Sequence, residues 1–159
     1  MSSPRAYANQ ALYLSRIVLS AWRDGLAAEQ LPAATLRQAF LPAVCAHLQC
    51  AYGWFLLELA GLESVPEEGP PRSSEALPGI APGKAESGEL REVRQLESNG
   101  FIAEFLAESR RPDAAAPAPR VTAGLAATAV EGADIDDVTR WVDSFGQMCD
   151  RMRNSLDEY

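Results

Sequence analysis

Residues 45 to 50 read CAHLQC, a stretch holding two of the three cysteines and the single histidine of the chain. Thiols and imidazoles bind zinc and pair as nucleophile and base, so chemistry would be sought here first. On a helix turning about 100° per residue, His47 and Cys50 are neighbours, whereas Cys45 lies about 160° from His47. One helix cannot aim all three at one ion. A zinc site would need His47 and Cys50 to meet Cys149, together with a carboxylate. The competing reading is packing: a free cysteine behaves as a small buried hydrophobe, and His47 follows Phe40 and Val44 along one face. Packing is the expectation. A metal- or ligand-binding bundle lined by His47, Cys50 and Cys149 is the alternative.

Catalytic patterns are missing elsewhere. No carboxylate stands three or four residues from His47 to orient it as a base. Val44 occupies the place where a di-iron Glu-x-x-His motif needs its glutamate. Arg37 and His47 are too far apart for the closely spaced Arg–His pair of helical ribonucleases. No glycine-rich phosphate loop and no G-x-S-x-G occur. Glu67, Glu68, Glu86 and Glu89 read as solvated surface, and Asp134, Asp136 and Asp137 as a helix start. Neither an enzyme nor a cofactor is expected.

The elements that would position these residues are helices. From Arg5 to Ala28, Tyr7, Ala11, Leu14, Val18, Ala21 and Trp22 recur at spacings of three and four, opposite Asn9, Arg16, Ser20 and Arg23. A second helix starts after Pro32 and runs to about Leu62, with Pro42 inside it to kink or split it. Beyond Cys50 it is apolar almost all round, as expected of a central helix. A third runs from about Glu89 to Arg111, and Asn99-Gly100 marks a break that could divide it in two. The last begins at Asp134, with Asp137 completing a capping box. It carries Ile135, Val138, Val142, Phe145, Cys149, Met152 and Leu156 on one stripe. Residues 63–88, rich in Pro, Gly, Ser and Glu, predict a mobile loop, and about 112–133 a linker. The sum is a single all-α domain over 1–159: an antiparallel four-helix bundle with two long connections.

The formal net charge of −8 argues against nucleic acid and anionic membranes as partners. His47, Gln49 and Glu58 interrupt the most apolar stretch, so no membrane span is expected, and Arg16 breaks the one candidate signal segment. Three cysteines make no disulfide framework, which places the chain in the cytoplasm. All but one of the 14 basic residues are arginines, as in proteins from GC-rich bacterial genomes.

Aromatic residues carry the positive hint. Tyr52 and Trp54 lie about 200° apart on the second helix, so one should face outward. Trp141 falls off the main stripe of the last helix, with Met148 a heptad further on. These four form a candidate interaction surface. The ends of the chain, YANQALYLSRIVLSAW (Tyr7 to Trp22) and RWVDSFGQMCDRMRNSLDEY (Arg140 to Tyr159), with Asn9, Tyr13, Arg16 and Trp141, carry a resemblance. They resemble the first and last helices of a domain-of-unknown-function family of small Gram-negative bacterial proteins. That resemblance implies a helical cytoplasmic protein and transfers no catalytic residue. The functional expectation is a non-enzymatic interaction protein, an adaptor or regulator that binds another protein and can form a homodimer through an apolar helix face.

Overall fold

The computed structural model describes residues 2–79, 83–111 and 132–158. All regular structure among them is helical: α1 (Pro4–Ala28), α2 (Ala33–Leu59), a 3-10 turn (Ser74–Ala76), α3 (Gly88–Asn99), α4 (Phe101–Ser109) and α5 (Ile135–Asp157).

Local chemistry explains the boundaries. Ser3 caps α1, its hydroxyl accepting the Ala6 N–H at 3.2 Å, and Pro4 occupies the first turn. The helix stops at Glu29, whose φ of 52° is left-handed. α2 runs on as one helix through Pro42 rather than splitting there. The pyrrolidine removes one backbone donor, and burial of the residues around it holds the helix together. At the expected break, Gly100 ends α3 and opens α4 with extended backbone. A Cβ there would lie 2.6 Å from Leu96 Cδ2 and 2.9 Å from Leu96 Cα, so close approach demands the glycine. α5 begins with a reciprocal capping box: Asp134 accepts from the Asp137 N–H at 2.9 Å, and Asp137 from the Asp134 N–H at 3.1 Å.

Helix α2 is central. It is long and apolar enough by composition to cross a membrane, with a mean hydropathy of 1.4. Here α1, α3, α4 and α5 all pack against it. At one end, Tyr7 of α1 stacks on Trp54 with ring centroids 4.7 Å apart; at the other, Gly25 abuts Leu36 and Phe40. α1 and α2 therefore run antiparallel. The core closes with edge-on rings: Tyr52 meets Phe105 at 5.9 Å, and Phe55 meets Phe145 at 5.8 Å. Each such aromatic, fully buried, contributes roughly 1.5–3 kcal/mol.

Within the stretch over 63–88 expected as a loop, the described residues lie against the helices. The Pro70–Pro71 backbone lies on Gly53 of α2, where a Cβ would collide with the Pro71 carbonyl and sit 2.8 Å from Pro70 Cβ. Ser74 is buried, and its N–H donates to Glu97 of α3 at 3.0 Å. This segment is a strap across α2 and α3. Composition misses it because two prolines and one buried serine suffice to seat it, with no apolar run. Of the expected linker, residues 112–131 lie outside the described residues. Gly132 and Ala133 are tied to Glu108, Arg111 and Arg37 at the ends of α4 and α2.

Candidate functional site

The structure rearranges the CAHLQC stretch. Cys45, expected to leave the group, is buried, whereas His47 and Cys50 are half-buried. The reason is that α2 is covered on several sides, so its far side is also interior. Cys45 faces the end of α4: burial pushes its thiol up to about 12, the nearby Glu108 raising it further and Arg37 opposing. Cys149 on α5 is likewise pushed up to about 12 by burial. Burial thus holds both thiols in the protonated form, which is not the nucleophilic one. Among the described residues, no three His, Cys, Asp or Glu side chains gather as a metal site, so His47, Cys50 and Cys149 are not brought together as one.

The aromatic surface is also corrected. Tyr52, Trp54, Trp141 and Met148 are all buried within the chain. Trp54 does point away from Tyr52, but Tyr7 covers it. The Trp141 indole N–H donates to Glu104 of α4 at 2.7 Å, and this bond holds the Glu104 carboxyl below its usual range. The two sides of α5 meet different helices, so its buried face is wider than one stripe. Tyr52 donates its hydroxyl to Glu97, and burial raises its pKa.

Two polar clusters escaped the reading of spacing. At one end, buried Arg153 of α5 forks onto Glu58 of α2, Nε and Nη2 each donating at 2.8 Å. Its Nη1 donates to Asn9 of α1 at 2.8 Å, and its guanidinium carbon lies 5.6 Å from the Phe55 ring centre. At the other end, Glu108 accepts from the Ala133 N–H at 3.4 Å and lies 3.6 Å from Arg37 and 3.8 Å from Arg111. Glu58 is the one charged residue between Leu41 and Leu62, which was the available signal. Arg153 stands four residues after Cys149, on the buried face. Both clusters join helices, and their hydrogen-bonding groups are directed at one another.

Large apolar side chains exposed among the described residues include Leu31, Val65 and Leu156 in other parts of the chain and a pair on α1. The outer face of α1 exposes Tyr13 by 59% and Ile17 by 47%, one turn apart. Exposed Ala6, Gln10, Ser20 and Ala21 continue this uncharged strip. Separately, a groove of about 780 Å³ runs between the strap and α3–α4, with Glu97 in its lining and Arg94 and Arg110 on the helix side.

Among the described residues these contacts make an all-helical protein in which buried Arg153 and Glu108 tie separate segments together. The chain belongs to a family of unknown function (DUF6586), which it matches over residues 1–159. No curated protein and no solved structure matches it.

Proposed function

We propose that this is a non-enzymatic helical interaction protein that self-associates through the outer face of α1, acting as an adaptor or regulator for a protein partner. The supporting architecture is an antiparallel four-helix bundle whose third column is α3 followed by α4. Arg23 near the end of α1 reaches Thr139 near the start of α5 at 2.9 Å, whereas Asn9 meets Arg153 at the opposite ends. Glu92 pairs with Arg151 and Glu104 with Arg140, so α5 runs against α3–α4 as well. Such a bundle leaves one outward strip per helix, and most of these strips are polar.

The observation that carries the reading is Tyr13 and Ile17, two large apolar side chains exposed one turn apart on α1. Charge favours the same helix. Within its bounds α1 has three arginines and one aspartate, the one basic excess among the described helices of a chain with net charge −8. Two acidic bodies repel least when they meet through their least acidic element. A place in the cytoplasm of Gram-negative bacteria rests on composition and on the resemblance at the chain ends.

A patch of two anchors supports a weak dimer, with a dissociation constant of about 100 µM. Sedimentation equilibrium of the full chain between micromolar and millimolar concentration tests it. The expected result is a mass that rises with concentration, and a monomer throughout for the Tyr13→Glu, Ile17→Glu double variant. A wild-type mass that stays monomeric over the whole range overturns the proposal.

A further inference from the structure

We propose that the groove between the strap and α3–α4 binds a small acidic solute, one bearing a carboxylate or a phosphate, through Arg94 and Arg110. The argument rests on unequal donors and acceptors. Glu97, the carboxylate at the junction of strap and α3, is already committed: it accepts the Tyr52 hydroxyl and the Ser74 N–H. Arg94 contacts Glu86 through one terminal nitrogen, Nη1, at 2.6 Å, and a guanidinium carries five N–H donors. Arg110 is exposed and makes no ion pair among the described residues. Ser73 precedes the 3-10 turn, and its side chain makes no capping bond there.

The groove is therefore richer in uncommitted donors than in acceptors, and the ligand that satisfies them is acceptor-rich. Glu75, on the strap side, adds one exposed carboxylate to the lining, and the two guanidiniums of Arg94 and Arg110 outnumber it. Leu77, Ala103 and Leu106 give the lining an apolar part for a short carbon skeleton. The volume of about 780 Å³ lies within the range of small-molecule sites. This site is separate from the α1 face and stands without the self-association reading.

The test is an amide chemical-shift titration of the full chain with inorganic phosphate and, separately, with succinate, at constant ionic strength. The expected result is saturable shifts at Ser73, Ser74, Glu97 and Ser98 with at least one probe. Whichever probe saturates identifies the acidic group. Arg94→Gln and Arg110→Gln should each weaken that binding about tenfold. Arg91→Gln, an exposed change on α3 outside the groove, should leave it unaltered. Both groove arginines are solvent-exposed, so thermal melts should show these variants folded. Shifts that remain linear with both probes to about 50 mM, well beyond a millimolar dissociation constant, overturn the proposal. So does equal weakening by Arg91→Gln, which would report only the general field of the protein.

Discussion

Arg153 reaches across three helices at once, with a fork on Glu58 and one further donor on Asn9. Losing it would leave Glu58 nearly buried, with Arg5 as its nearest cation at 3.7 Å. Breaking one side of a buried pair costs more than the pair contributes, because the remaining charge stays desolvated. Arg153→Ala should therefore lower unfolding stability by about 3 kcal/mol in urea denaturation. Arg153→Lys should recover only part of it, since an ammonium cannot fork onto a carboxylate. A loss below about 1 kcal/mol would show that the pair behaves as a solvated surface contact. Glu58 stands out in the sequence as a lone glutamate in an apolar helix, whereas Arg153 lies outside the apolar stripe of the last helix, near its negative end. Their pairing was not visible, because periodicity assigns a residue to a face and never names a partner 95 positions away.

At the scale of elements, legibility followed the range of the interaction. The Ser3 cap, the Asp134–Asp137 box and the break at Asn99-Gly100 are contacts within a few residues, and α1 and α5 fall close to their expected bounds. The strap depends on Pro70–Pro71 meeting Gly53 and on Ser74 meeting Glu97, which spacing along the chain does not reveal. Gly53→Ala isolates that docking. Inside a helix the change favours α2 by up to about 1 kcal/mol, but the new methyl occupies the place of the Pro71 carbonyl. The helical core should melt cooperatively as before, while the Ser74 amide exchanges faster with solvent and proteases cut the strap sooner. Unchanged exchange at Ser74 would show that the strap is held without this contact. The misplaced aromatic surface has the same cause: Tyr7 and Glu104 cover Trp54 and Trp141 from other helices.

Over the whole molecule, the titrating groups set a window of stability. Burial raises Cys45 and Cys149 to about 12 and moves Tyr52 in the same direction. Once unfolded, thiols ionise near pH 8.5 and phenols near pH 10, each figure being about the ordinary value. Above those values the unfolded chain holds fewer protons than the native one, so stability should fall as pH rises past about 9. The depressed carboxyls of Glu104, held by the Trp141 N–H, and Asp134, held by the Asp137 N–H, act oppositely. Their contribution is present above the ordinary carboxylate value of about 4 and is lost as pH falls below it. Thermal melts from pH 3 to 11 should trace a plateau that declines on both sides. A melting temperature unchanged to pH 11 would mean that these thiols and this phenol are open to water. The Glu108 cluster has a consequence of another kind. The chain departs at Arg111 and returns at Gly132 beside the same carboxylate, where Arg37 also holds the Ala133 carbonyl at 2.6 Å. The exit from α4 and the entry to α5 therefore share one anchor, and a change at Glu108 would loosen both ends together.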